Sequence, residues 1–232
     1  MPSLLITGAN RGLGLEFCRQ YGEQGWWRIF ACCRNPESAT ELQALAKQWP
    51  HLTIHQLDVA DFGQIDQLAQ QLKHEPVNIL LSNAGIYGDK QDYDFGALDY
   101  DLWQKTLRIN TLASVKLAEA FLPNLLKSQQ RLIVAISSLM GSMADNGSGG
   151  SLFYRSSKAG LNAVMKSLSL DLRPQKIGVL ILHPGWVKTD MGGAQAPTSP
   201  YESIVGMRRV IEGFTLEKTG SFINYKGELL PW

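Results

Sequence analysis

Short runs of apolar residues recur along the chain, each followed by a longer stretch in which apolar positions return every three or four residues. The runs are Leu4-Leu5-Ile6, Trp27-Arg28-Ile29-Phe30-Ala31-Cys32-Cys33, Leu52-Thr53-Ile54-His55-Gln56-Leu57 and Val77-Asn78-Ile79-Leu80-Leu81. They continue with Arg131-Leu132-Ile133-Val134-Ala135-Ile136, Gly178-Val179-Leu180-Ile181-Leu182 and a last Ser221-Phe222-Ile223-Asn224-Tyr225. Several are apolar on both faces, as strands buried between two layers must be. Stretches of helical period lie at roughly 12–25, 37–48, 61–73, 101–127, 152–172 and 201–214. The alternation predicts an α/β fold, a doubly wound parallel sheet of seven strands with helices on both faces and right-handed crossovers. No repeat, low-complexity tract or linker divides the 232 residues, so 1–232 is expected to form a single domain.

Glycines punctuate the first strand–helix junction. Thr7-Gly8-Ala9-Asn10-Arg11-Gly12-Leu13-Gly14 follows the first run and opens the first helical stretch. Glycine there permits a tight turn and close approach of backbone to a pyrophosphate lying on the helix N-terminus. The spacing G-x-x-x-G-x-G differs from the G-x-G-x-x-G fingerprint, so position after a strand carries the inference. At the end of the second run, where an NAD site would place Asp or Glu, stands Arg34, and Arg11 adds a second cation. Two guanidinium groups suit a 2′-phosphate, which predicts NADP(H) rather than NAD(H). Two irregular stretches, Gly141 to Gly150 and Gly192 to Pro200, also follow predicted strands. They are expected at the carboxyl edge of the sheet, where doubly wound folds bind ligands.

Tyr154 and Lys158 stand four residues apart at the start of the fifth helical stretch. That spacing puts a phenol and an ammonium on one helix face. A nearby cation favours phenolate and is expected to lower the phenol pKa toward working pH, where a general acid–base is most effective.

Together these motifs resemble the short-chain dehydrogenase/reductase family, over essentially the whole chain and in the expected order. Thr7 to Gly14, with Gly8, Asn10, Arg11, Gly12, Leu13 and Gly14, looks like its cofactor turn. Asp58-Val59 is similar to the pair that contacts adenine, and Asn83-Ala84-Gly85 to the signature that steadies the sheet and lines the cofactor. Asn110, Ser138, Tyr154 and Lys158 match the catalytic tetrad. Pro184-Gly185, with Val187 and Thr189, resembles the segment holding the nicotinamide carboxamide. The segment His183 to Gly193 and the ending Gly227 to Trp232 look most like the C-factor branch, related to sniffer-type carbonyl reductases.

The resemblance implies a Rossmann fold and hydride transfer between nicotinamide and a carbonyl or alcohol. In it Tyr154 is the proton donor, Ser138 polarises the carbonyl, and Lys158 tunes the phenol and holds the ribose. Asn110 holds a water that relays protons. It also implies a homodimer or homotetramer. Ser82 replaces a common Asn, and the stretch from Ser138 to Tyr154 is longer than the usual pattern, which leaves Ser137 and Ser142 as alternative hydroxyls. The same branch is associated with signalling, so a dinucleotide-binding regulator with little turnover is the rival reading.

Other features narrow the choice. Formal net charge is +1 with no block of like charges, which points away from nucleic acid and anionic membrane. Cys18, Cys32 and Cys33 make no C-x-x-C pair, and His51, His55, His74 and His183 are scattered, so no metal is expected. The odd thiol count and an N-terminus without a basic, long apolar leader lead us to expect a cytoplasmic protein. Trp186, Met140, Met143, Phe153, Met191 and Tyr87 are candidates for an apolar substrate wall. The apolar ending Leu229-Leu230-Pro231-Trp232 is expected to be tucked against the body or a neighbouring subunit.

Overall fold

The alternation of side chains along each apolar run sorts them into two cores. In the computed structural model, which describes residues 1–89 and 95–232, Leu4 and Ile6 of β1 (Ser3–Thr7) face one core and Leu5 the other. β2 (Arg28–Cys33) divides Ile29, Ala31 and Cys33 from Phe30 and Cys32 in the same way. The remaining strands are β3 (Leu52–Gln56), β4 (Ile79–Ser82), β5 (Leu132–Ile136), β6 (Gly178–His183) and β7 (Ser221–Asn224). All pair in parallel, in the order β3-β2-β1-β4-β5-β6-β7. This is the seven-stranded Rossmann arrangement in one domain.

Helices supply the other wall of each core. Leu15, Phe17, Cys18 and Tyr21 of α1 (Gly12–Glu23), Leu42 and Leu45 of α2 (Thr40–Gln48), and Ile204, Met207 and Ile211 of α8 (Pro200–Glu212) cover one face. Ile65 and Leu68 of α3 (Phe62–Gln71) and Leu161 and Met165 of α7 (Leu152–Asp171) cover the opposite face.

The stretch expected as one helix over 101–127 is helical over nearly its whole length, but not uniformly α. α4 (Tyr100–Leu107) passes through a π turn at Arg108–Leu112 into α5 (Ala113–Ala120), and a short α6 (Leu122–Leu126) follows with Pro123 in its first turn. Proline lacks the N–H to continue α5, and the π turn inserts one extra residue per turn at Asn110. The helical stretch placed at 37–48 begins with a separate turn, Pro36–Ser38, before α2.

Strand order reverses between β2 and β4 on either side of β1, which opens a crevice at the carboxyl ends of the strands. The closing segment lies against the body: Trp232 packs on Phe222 at 5.6 Å, and its carbonyl accepts from the Ala144 N–H at 2.9 Å. Leu229 remains exposed. No helix among the described residues is long and apolar enough to cross a membrane, and no group of three or more His, Cys, Asp or Glu gathers there as metal ligands would.

Candidate active site

Five of the segments singled out by sequence lie at or just past the ends of strands, and the parallel sheet brings them to one edge. Gly8 follows β1, Arg34 follows β2, Asn83-Ala84-Gly85 follows β4, Ser138 lies just beyond β5, and Pro184-Gly185 follows β6. Asp58-Val59 lies just past β3. There Asp58 accepts from the Ala60 N–H at 2.9 Å and Val59 is buried in the second core.

The glycine turn is shaped by what side chains would collide with. Gly8 and Gly12 have φ of +68° and +54°, a region glycine enters without steric cost. A Cβ at Gly14 would run into the Gly8 carbonyl and lie 2.7 Å from Asn83 Nδ2. Asn83 in turn donates to the Thr7 carbonyl at 2.9 Å, while Thr7 Oγ1 accepts from the N–H groups of Asn83 and Ala84 at 3.1 Å. The turn is thus stapled to the end of β4. Leu13 packs into the first core, and Asn10 and Arg11 project to solvent.

The start of α1 is bare. Arg11 stands at its N-cap position with no side-chain cap, and no acid occupies the first turn. By contrast Asp61 caps α3, Asp99 caps α4, and Ser199 with Glu202 forms a capping box on α8. An uncapped, acid-free helix N-terminus behind a glycine turn fits a dinucleotide pyrophosphate.

Opposite this turn lies the segment after β6. The Gly12 Cβ position is 3.5 Å from Thr189 Cγ2, so two segments far apart in sequence come into contact there. Val187 is buried and bridges to Thr198, and Gly185, at φ +85°, passes so close to the Tyr225 ring that a Cβ would lie 2.8 Å from it. Pro184 is held through its carbonyl by Ser203 Oγ at 2.6 Å. Arg11 forms an ion pair with Asp190 of this segment, so its guanidinium is engaged there. Arg34 is exposed and takes part in none of the ion pairs found among the described residues.

At the floor of the cleft α7 brings Tyr154 and Lys158 together, the ammonium 5.6 Å from the phenol ring centre. Lys158 is buried and donates to the Ile136 carbonyl at 2.8 Å. The Ser138 hydroxyl lies close enough to the Tyr154 phenol to favour its ionised form, and it accepts from the Met140 N–H at 3.1 Å. Among the neighbouring hydroxyls, Ser137 turns inward to Asn162 at 2.6 Å and Ser142 accepts from the Asp145 N–H at 3.1 Å. Ser138 is therefore the hydroxyl that meets the tyrosine.

Asn110 sits in the π turn, 1% exposed. Its amide accepts from the Ile86 N–H at 2.9 Å, and donates to the Ile86 carbonyl at 2.8 Å and to Ser157 Oγ at 2.9 Å. These bonds tie the loop after β4 to α7, directly behind the tyrosine.

The charge balance differs from the sequence expectation. Burial pushes the Tyr154 phenol up to about 12, Tyr87 adds to the rise, and only the Ser138 hydroxyl opposes it. Burial also brings the Lys158 ammonium down to about 8. Lys158 is not among the groups that lower the tyrosine; burial sets the direction of the shift.

A stability test follows from the Lys158 shift. The unfolded lysine titrates near 10.5, so between about pH 8 and that value the unfolded state binds more protons and folding gains as pH rises. The buried thiols Cys18, Cys32 and Cys33, raised by burial, and Tyr154 pull the other way at alkaline pH, so a difference is needed. Relative to Lys158→Met, the parent protein without cofactor should gain on the order of 2–3 kcal/mol between about pH 7.5 and about pH 10.5, read by urea unfolding. A gap that does not change with pH would show Lys158 to be unperturbed.

Of the expected substrate wall, Tyr87, Trp186, Met143 and Met191 are exposed, with Trp186 Nε1 donating to the Gly192 carbonyl at 2.7 Å, and Met140 is half-buried. Phe153 is not part of it: it is fully buried and stacks on Trp103 at 5.2 Å. Sequence reading missed Ser157 and Asp89, whose partners lie tens of residues away and leave no local spacing to detect.

This architecture is shared. The short chain dehydrogenase family model matches residues 3–199. C-signal of Myxococcus xanthus is 42% identical over 157 residues, 68% of this chain and 93% of that one. Carbonyl reductase Sniffer of D. melanogaster superposes with a TM-score of 0.94 at 38% identity, covering all of both chains. An NADPH-bound carbonyl reductase from chicken fatty liver superposes with a TM-score of 0.91 at 36% identity, covering 100% of this chain and 99% of that one. The chain belongs to the short-chain dehydrogenase/reductase family of oxidoreductases.

Proposed function

We propose that this enzyme is an NADP(H)-dependent carbonyl reductase that converts a ketone or aldehyde to an alcohol, or the reverse. The observation that carries this reading is the meeting of Ser138, Tyr154 and Lys158 beneath a cleft walled by the glycine turn and the Thr189 segment.

Gly8, Gly12 and Gly14, with the bare start of α1, would receive the pyrophosphate, and Arg34 the 2′-phosphate. Asp58 and Val59 would contact the adenine. Ala84, Gly85, Pro184, Gly185, Val187 and Thr189 would line the nicotinamide half. A bound nicotinamide supplies or takes up the hydride. The protein then has to place the substrate and manage one proton. Tyr154 gives that proton from its phenol oxygen to the carbonyl oxygen as negative charge develops there. Ser138 donates a second hydrogen bond to the same oxygen. A phenol pushed up by burial holds its proton at neutral pH, which is the form reduction requires. Lys158, about 8 and so largely charged at neutral pH, stabilises the phenolate left behind and would hold the ribose. Asn110 keeps the loop after β4 in register with α7, and a water held near it would reload Tyr154 through Lys158.

The test is NADPH oxidation, followed at the reduced-nicotinamide absorbance band, with a panel of ketones, aldehydes and quinones. Turnover of at least one class is expected. The C-signal match favours a second reading, a dinucleotide-binding regulator of the same fold. NADPH binding without turnover across the panel would select it. We further assign the protein to the cytoplasm as a homodimer or homotetramer acting on a small molecule. Exposed Tyr100 and Leu112, on α4 and the π turn, support the oligomer, which sedimentation would measure.

A further inference from the structure

The first turn of α7 carries the tyrosine, yet its own N-cap residue does not cap it. Ser151 has φ +49° and ψ +46°, a left-handed conformation, and makes no side-chain cap. The cap comes from elsewhere in the chain. Asp89, in the loop after β4, accepts from the Phe153 N–H through Oδ1 at 3.1 Å and from the Tyr154 N–H through Oδ2 at 2.9 Å. A carboxylate at this end also complements the helix dipole.

Asp89 does not grip alone. Two residues earlier, the Tyr87 hydroxyl bonds Ser151 Oγ at 2.6 Å, and the Tyr87 ring lies 5.0 Å from the Tyr154 ring at 35°. Gly88 between them has φ +81° and passes so close to α4 that a Cβ would run into Thr106 Oγ1. The turn that aims both side chains at α7 therefore requires glycine at its centre. Contacts from residues 87 and 89 reach Ser151, Phe153 and Tyr154, whereas Lys158, one turn further on, is held by β5.

We propose that Asp89 is a positioning residue for proton transfer: by capping α7 across the cleft, it fixes the backbone of Tyr154 and hence the reach of its phenol. This rests on the role given to Tyr154 above. The carboxylate touches no reacting atom. Its removal leaves the glycine turn and Arg34 intact and frees the residue that gives the proton. Displacement of a reacting group by about 1 Å can cost about 100-fold in rate, so loosening this turn should appear in kcat rather than in cofactor affinity.

Three variants, Asp89→Ala, Asp89→Asn and Asp61→Ala, test this. The last removes an ordinary cap from α3 and controls for lost stability. Asp89→Ala should lower kcat by about 10- to 100-fold with NADPH affinity, by fluorescence titration, within about threefold of the parent. Amide hydrogen exchange should speed up at Phe153 and Tyr154 and not in the middle of α7. Asp89→Asn keeps one acceptor and should fall about three- to tenfold below the parent, and it stands in if the alanine variant fails to fold. Asp61→Ala should stay within about twofold in kcat. A kcat in both Asp89 variants equal to that of Asp61→Ala, or unchanged exchange at the two amides, overturns the proposal. Failure of the underlying reading is seen separately, as parent-like turnover in Tyr154→Phe.

Discussion

Tyr154→Phe is expected to lower kcat by about two to four orders of magnitude while NADPH affinity stays within about threefold of the parent. The substitution removes one oxygen from a ring packed against Tyr87 and leaves that packing in place. It also leaves the glycine turn, Arg34 and the Thr189 segment untouched, so binding should survive. What disappears is the proton donor beside Ser138. Water can still protonate a developing alkoxide, which sets a residual rate above zero. Stopped-flow measurement of a single turnover would place the loss in the chemical step. A variant that reduces carbonyls as fast as the parent would remove the phenol from the mechanism.

The second large effect is expected at the adenosine end. Arg34→Asp should shift the ratio of kcat/KM for NADPH over NADH by about 100-fold toward NADH. A hydrogen bond between charged partners contributes about 1.5–3 kcal/mol, and the substitution adds repulsion between a carboxylate and a 2′-phosphate. Arg34 is the residue to change, because Arg11, its partner in the sequence expectation, is engaged with Asp190. The exposed site also predicts that the parent's preference for NADPH weakens as salt rises, since exposed charges are screened within about 8–10 Å at physiological ionic strength. A cofactor ratio unmoved by the substitution would place the 2′-phosphate elsewhere.

How much of this could be read before folding depends on the range of each interaction. β1 was legible because Leu4, Leu5 and Ile6 are all apolar, and only a strand covered on both faces tolerates that. The helical stretch at 101–127 was legible in its extent, whereas the π turn at Asn110 and the interruption before Pro123 leave no mark on a continuous apolar period. Phe153 looked like a wall residue from its neighbourhood in sequence, yet the rotation of α7 points it at Trp103 in the interior. The Tyr154–Lys158 spacing foretold their shared face and not the sign of the phenol shift. Attraction to a lysine is a pairwise property, whereas desolvation is set by everything that closes over the ring.

From sequence alone came the alternation of strand and helix, the glycine turn, the cation at the end of the second strand, and the four-residue spacing of phenol and ammonium. Each depends on a period or a turn a few residues long, where backbone geometry leaves little choice. Tertiary structure alone decided which of Ser137, Ser138 and Ser142 meets the tyrosine, which guanidinium stays free of an ion pair, and how α7 is capped. Those outcomes turn on distances of about 3 Å between segments tens of residues apart, and such distances exist only after the sheet has brought its carboxyl ends together.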